Sequence, residues 1–523
     1  MMAVLLTLLA APPAEVAPLA IQSTARGERL RRLPVPRLRE GKPRGATLRV
    51  QLQDRRQRVE GIGGALTEAS AHVLAHLPRA TREALLDRCF GPKGADFTMA
   101  RLPIGSCDFS VTGKWSYADV PGDTALAHFS LEPDRRGWAT AREPGYALLP
   151  LIQDALARRP DLKLVASPWT APAWMKDNQA WFGAGRGGRL KPEHYDTFAR
   201  YVVKYVDALK VEGIALWGLT PVNEPVGNGG QWESMEFTPG ELRDYIGGHL
   251  GPRLAEAGHG GLKLLSFDHN RDAQALAFAE AILGDPRASR YVWGTALHWY
   301  SSTVSACPEV LDALRQRWPD KALVHTEGCI DGIGTPDQSP GGRFRGWRND
   351  RWWWTEAATD WGFHWAPEAE RRHHPRYAPV DRYARDLIVG LNHGLVGWID
   401  WNLVLDARGG PNHVGNFCGA PLMADPATGA VHVTPLHDVL VHVSRYIRPG
   451  DTILGIEAHL PDTGPDEVHA TAALDSTGRR LTVVLFNRSR RTQRFALAVG
   501  DRWVPQALPP RSLRTLQLPV DPP

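Results

Sequence analysis

Between about residue 58 and residue 450 the hydrophobic pattern switches back and forth between two periods. Short apolar runs of strand length alternate with longer segments whose apolar residues recur at helical spacing, as in "HYDTFARYVVKYVDALKVEG" (194–213), which closes on a glycine. The candidate strands are Val59–Ala65, Phe97–Ile104, Leu162–Trp169, Ala215–Pro221, Leu262–Phe267, Gly294–Trp299, Ala322–Thr326 and Val396–Trp401. Strand–helix alternation brings successive strands together in parallel. Eight such units predict an α/β chain folded as a (β/α)8 TIM barrel with long loops.

A chain of 523 residues, 43% of them hydrophobic, has room for one large domain and a small one. After "YIRPG" (446–450) the rhythm changes to short runs separated by turn residues: "EVHATAAL" (467–474), "RRLTVVLFN" (479–487) and "RRTQRFALAV" (490–499). These predict a small antiparallel, β-sandwich-like domain over 449–523, beside a catalytic barrel over 58–448. The segment "ATLRVQLQD" (46–54) is strand-like too, so residues 21–57 are expected to be an arm and a strand joining that β domain. The arginines between Arg26 and Arg44 read as a solvated, flexible run. Residues 1–20 begin "MMAVLLTLLAAPPA", which resembles a signal-peptide core without the usual positive start. That implies a secreted or periplasmic protein, with a cytosolic terminus as the plainer alternative. No run is long and apolar enough for a transmembrane anchor.

A net charge of +4 gives no case for nucleic acid or an anionic membrane. Five scattered cysteines without a C-x-x-C suggest neither a disulfide framework nor a zinc site. The histidines show no H-E-x-x-H spacing, so no catalytic metal or cofactor is expected. "GIGGAL" (61–66) lacks the G-x-G-x-x-G spacing of a dinucleotide loop.

Barrels of this kind place their chemistry at the C-terminal ends of the strands. Asp108 follows strand 2, Trp169 ends strand 3, Asn223 and Glu224 follow strand 4, and His298, Trp299 and Tyr300 stand at strand 6. Glu327 follows strand 7, and Asp400, Trp401 and Asn402 stand at strand 8. A carboxylate at the mouth of an apolar strand is costly unless it is solvated, paired or used. Here two such carboxylates, Glu224 and Glu327, close strands that face each other across a barrel. Paired carboxyls with aromatic walls and amide donors suit glycoside hydrolysis, one giving a proton to the leaving oxygen and the other meeting the anomeric carbon. A gap of about 5 Å goes with retention of configuration and about 6.5–9.5 Å with inversion. Cys107 and Cys329 flank these positions and read as buried small side chains.

The segments "GIGGALTEAS" (61–70), "RLPIGSCDFS" (101–110), "ASPWTAPAWMK" (166–176), "TPVNEP" (220–225), "ALHWY" (296–300), "HTEGC" (325–329) and "GWIDWNL" (397–403), in that order, resemble the glucosylceramidase group of glycoside hydrolase family 30. The resemblance covers about residues 58–450. It implies a retaining hydrolase of β-glucosides, with a β-glucoside or glucosylceramide-like substrate, on a (β/α)8 barrel with a side β domain. It further implies Glu224 as acid/base and Glu327 as nucleophile. Asn223 would meet the sugar 2-hydroxyl, while Asp108, Trp169 and Trp401 would bind the glycone. His298 and Tyr300 would support the nucleophile, and Asn416, in "HVGNFC" (413–418), would stand near the pocket. A family relative acting as a β-xylosidase or β-1,6-glucanase, or a non-catalytic carbohydrate binder, are the rival readings.

The chain departs from the lysosomal members of the group after Glu327, where a longer insertion carries Trp347, Trp352, Trp353, Trp354, Trp361 and Trp365. Neighbouring rings in Trp352–Trp354 point different ways, so at least one is expected to face the cleft or solvent. The insertion leaves the strand of the expected nucleophile, which suggests contact with the aglycone.

Overall fold

A computed structural model describes residues 17–35, 37–183, 188–330, 349–358, 368–369, 371–461, 463–464 and 467–521. The eight expected strand positions close into one parallel barrel in sequence order. Its strands are β1 (Gly61–Ala65), β2 (Met99–Ile104), β3 (Lys163–Pro168), β4 (Gly218–Leu219), β5 (Lys263–Asn270), β6 (Val292–His298), β7 (Ala322–Glu327) and β8 (Leu395–Asp400).

Three differences from the expected spans matter. β4 pairs over two residues, far fewer than its apolar run. Bonds beyond the ladder extend the contact: the Trp217 and Thr220 amides donate to Leu164 and Ala166, and the Lys263 amide donates to Trp217. β5 runs past Phe267 to Asn270, and its pairing with β6 slips between Ala296 and Leu297. Phe267 and Asp268 there have φ of +74° and +67°, so a bulge turns the end of the strand. The glycine run "GIGG" is explained by packing. A Cβ on Gly63 would stand 1.6 Å from the Met99 carbonyl oxygen, and one on Gly64 2.5 Å from Leu403.

The second sheet has ten strands and draws on both ends of the chain. Thr47–Arg58 pairs antiparallel with Thr452–His459 and parallel with Gln493–Val499. The sheet curls so that Arg502–Leu508 meets Ser512–Pro519, which is not its neighbour in strand order. Arg514 donates to Gln506 and to the Ala507 carbonyl across that closure. Leu48, Leu454, Val483, Leu497, Val504 and Leu516 fill the space between.

The arginine run is not the free arm the sequence suggested. Arg29 grips Asp438 through two nitrogens and donates to the Val433 and Thr434 carbonyls. Fixed acceptors on the barrel side outweigh the tendency of a cationic run to stay in water. The segments Arg31–Arg32 and Arg39–Glu40 form short edge strands. Among the described residues no helix is long and apolar enough to cross a membrane.

Candidate active site

Arg101 lies mid-way along β2 and is fully buried. A guanidinium there is tolerable only if its donors are met. One nitrogen contacts Glu327, and the other donates to Asn223 Oδ1 at 2.8 Å and Asp268 Oδ2 at 2.7 Å. The ring of Trp169 lies 4.7 Å from its Cζ. Sequence reading passed over both Arg101 and Asp268. The available signal was a charge interrupting each of the apolar runs "MARLPI" and "LLSFDH".

Asp268 is the hub. Besides Arg101 it accepts from Ser167 (2.7 Å), Thr220 (2.9 Å), Thr326 (2.6 Å) and His298 Nε2 (3.0 Å). Against its burial, Arg101 and His298 hold this carboxyl well below the ordinary aspartate range. The Asp268 carbonyl accepts from the Glu224 amide at 2.9 Å. Glu224 itself has φ +50°, a conformation uncommon outside glycine, so the hub helps set the aim of its side chain.

Glu224 and Glu327 come together in one buried cleft, at 8% and 6% exposure. One oxygen of each and one nitrogen of His298 all lie within 4.8 Å of one another. Tyr300 donates to Glu327 Oε1 at 3.0 Å. His298 faces Glu327 through its charge, which favours the Glu327 anion, rather than through a hydrogen bond. Its Nδ1 faces Glu224 Oε1 at 3.3 Å, because Asp268 fixes the other ring nitrogen. A divalent cation among these three groups would have to displace that arrangement next to Arg101, so the trio suits proton transfer better.

Burial pushes Glu327 above the ordinary glutamate range against His298 and Arg101, while His269 and His298 draw Glu224 below it against the same burial. The contacts favour the opposite partition. His269 is lowered by its own burial and is neutral near pH 7, which removes its pull on Glu224. Glu327 touches a permanent cation and a phenol donor, whereas Glu224 has one long contact to an imidazole. With Arg101 and a His298 raised to about 9 balancing Asp268 and Glu327, the buried cluster is neutral when Glu224 carries the proton. We therefore place the shared proton on Glu224.

Asp108 is buried and receives Asn416 Nδ2 at 3.0 Å. Burial and the nearby Glu327 push it far above the usual carboxylate range, against the Asn416 hydrogen bond. Trp169 and Trp401 stack on each other at 5.0 Å between centroids, with an angle of 22°. Their faces are therefore largely spent on each other and on Arg101. Asp400 and Asn402, also at the strand 8 end, are held structurally by Tyr383 and Thr67. Cys107 and Cys329 are buried.

Within the insertion, Trp347, Trp361 and Trp365 lie outside the described residues. Trp352–Trp354 form a single 3₁₀ turn. Three residues per turn splay the rings about 120° apart. Trp353 and Trp354 are buried, and Trp352 is half-buried. Trp353 packs where a Cβ on Gly419 would touch it, close to Ile330. For these two rings packing accounts for the position, and the half-buried Trp352 is the described ring that keeps a face toward solvent or cleft.

A family model, the glycosyl hydrolase family 30 TIM-barrel domain, matches residues 59–348 and 365–447. The lysosomal acid glucosylceramidase of Mus musculus is 32% identical over 92% of this chain and 84% of its own length. An endo-1,6-beta-D-glucanase of Neurospora crassa is 28% identical over 92% of this chain and 91% of its own. The crystal structure of SrfJ from Salmonella typhimurium superposes with a TM-score of 0.81 at 27% identity, covering 96% of this chain and all of that one.

Proposed function

Because this chain belongs to glycosyl hydrolase family 30, we propose that it cleaves β-glucosidic bonds with retention of configuration, in the manner of a glucosylceramidase. The observation that carries this is the approach of a Glu224 oxygen to a Glu327 oxygen within 4.8 Å. So close an approach supports the retaining arrangement, in which the two carboxyls stand about 5 Å apart, over the wider spacing of about 6.5–9.5 Å in an inverting enzyme. Glu327, anionic beside Arg101, attacks the anomeric carbon as Glu224 passes its proton to the departing oxygen. A water deprotonated by Glu224 then releases the sugar from Glu327. Asn223, its carbonyl tied to Arg101, keeps its NH₂ for a sugar hydroxyl. Asp108, Trp169, Trp401 and Asn416 form the glycone side, and Tyr300 orients Glu327. His298 touches Glu224 and Asp268, and its positive charge favours the Glu327 anion across the cleft.

A second reading, endo-1,6-glucan cleavage, is supported by the Neurospora relative, which matches nearly end to end. The deciding experiment offers an aryl β-glucoside, glucosylceramide and a β-1,6-glucan in parallel, with proton NMR of the first anomer released. Release of the β-anomer from the glucoside is expected. The α-anomer would overturn the double displacement, and preference for the glucan would move the substrate to the second reading. The apolar run after Met1 supports export, which N-terminal sequencing of protein from the native host tests.

A further inference from the structure

Three loops carry the glycone side of the site: the one after β2 with Asp108, the one after β4 with Asn223 and Glu224, and the one after β8 with Trp401 and Asn416. His413 and Glu233 join all three. Glu233, fully buried, accepts from Ser106 Oγ at 2.9 Å and the Lys114 amide at 2.6 Å, both in the loop after β2. Its other oxygen lies 3.1 Å from His413 Nε2, in the loop after β8. His413 Nδ1 faces the Ser110 carbonyl oxygen at 3.1 Å. A carbonyl can only accept, so Nδ1 must carry a hydrogen. The Glu233 carboxylate meets Nε2 as an ion contact rather than an aligned hydrogen bond, and its negative charge beside a ring already protonated on Nδ1 favours the imidazolium.

The consequence reaches the sugar site through a short stretch of chain. Asn412 Oδ1 gathers the amides of Val414, Gly415 and Asn416, and its NH₂ donates to the Asn416 carbonyl at 2.5 Å. The turn from His413 to Asn416 is thus rigid, and Asn416 delivers its NH₂ to Asp108. The backbone opposite is shaped for the ring: a Cβ on Gly113 would fall 2.1 Å from His413 Nε2.

We propose that the buried His413–Glu233 ion pair is a positioning device that clamps the three glycone loops and sets Asn416 against Asp108, so that sugar affinity depends on a charged His413. The inference rests on the β-glucosidase reading. The other ionisable groups facing the pair are the carboxyls of Glu68, half-buried beside Ser110, and Asp108, and the buried Cys107 thiol. Lys114 turns its ammonium to the Phe182 ring. Lys176, whose ammonium burial lowers to about 7, donates to the Trp181 and Ser234 carbonyls and acts on Glu233 from a distance. Against its burial, Glu233 raises His413 above the ordinary histidine value. A raised histidine contributes fully below the unfolded value of about 6.5 and loses its contribution as pH rises through the folded one. The clamp therefore holds below about pH 6.5 and relaxes as pH rises through the raised folded value.

Two arms test this on the full chain. In the first, nitrogen-15 histidine NMR should show both His413 nitrogens protonated at pH 6.5, and Glu233→Gln should lower its pKa by about one unit or more. A neutral His413 at that pH overturns the clamp whatever the substrate. In the second, binding of the uncleaved 4-nitrophenyl β-D-thioglucoside and turnover of the oxygen glucoside are compared. His413→Leu and the isosteric Glu233→Gln should each weaken thioglucoside binding and raise KM about 5–10-fold, with kcat within about 2-fold. The alkaline rise in KM should vanish in both. His413→Gln, which keeps one donor toward Glu233, should recover part of the affinity. If Glu233→Gln is folded and leaves KM and its pH dependence unchanged, the clamp is overturned while the glucosidase reading stands. If wild-type protein neither binds nor cleaves the glucoside, the glucosidase reading falls, and the first arm alone then reports on the ion pair.

Discussion

Arg101 touches both Asp268 and Glu327, which favours the charged form of each, and on the proposed mechanism that charge balance separates Glu224 as acid/base from Glu327 as nucleophile. Glu327→Gln should abolish turnover of every glucoside, because no other group nearby can form the glycosyl-enzyme. Glu224→Gln should slow release of an alkyl aglycone by about 10²–10⁴-fold, the usual worth of a positioned acid. It should spare formation of the glycosyl-enzyme from a dinitrophenyl glucoside, which needs no proton to leave. In pH–rate profiles the acid limb belongs to Glu327 ionising and the alkaline limb to Glu224 losing its proton, so Glu224→Ala should lose the alkaline limb for the activated substrate. Pre-steady-state bursts measured for both variants on both substrates check the assignment. Equal loss of the first step in the two variants would reverse or dissolve it. Sequence made both glutamates legible because each closes an apolar strand, where an idle charge is expensive. It left Asp268 hidden, because the bulge at Phe267–Asp268 breaks the alternation by which a strand is read.

At the scale of elements, periodicity located all eight barrel strands but not their pairing. β4 reads as a seven-residue strand and pairs over two, since part of its apolar content serves packing below the ladder. The glycines of β1, which lack the spacing of a ligand loop, are there because a side chain on Gly63 would strike the Met99 carbonyl. For the tryptophan cluster, ring count alone cannot show which side of a 3₁₀ turn faces the core. Trp353 is fully buried in the main core with Ile330. Trp353→Ala should therefore cost about 3–5 kcal/mol in denaturant unfolding, the usual range for emptying an aromatic site. It should leave the kcat/KM ratio between long-aglycone and aryl glucosides unchanged. A selective loss on the long substrate, with normal stability, would return this ring to the aglycone side.

Across the whole molecule, the ten-stranded sheet packs on the barrel helices Pro379–Asn392 and Pro435–Ser444, and His442 makes one of the polar contacts on the second of them. The Thr515 hydroxyl donates to the His442 carbonyl at 2.8 Å, so Nδ1 must donate to the Thr515 oxygen, 2.9 Å away. Ser23 Oγ already accepts from the Leu30 amide and lies 3.0 Å from Nε2, to which its hydroxyl can donate. Every partner is met by the neutral ring, and a second ring hydrogen would confront the Ser23 hydroxyl. Burial, partly offset by Asp438 and reinforced by Arg445, lowers His442 to about 4. The unfolded ring titrates near 6.5. A depressed histidine contributes stability that is whole above the unfolded value and is lost as pH falls toward the folded one. Between pH 6.5 and 4 the junction should thus give up roughly 3 kcal/mol, about 1.4 kcal/mol for each unit of that gap. His442→Gln, which keeps a donor and an acceptor but cannot titrate, should start less stable at pH 7.5 and lose correspondingly less on acidification. Denaturant unfolding of both proteins at pH 7.5 and 4.5 measures the difference. Parallel losses would show that His442 titrates alike in the folded and unfolded states and that the acid sensitivity of the two-domain body resides elsewhere.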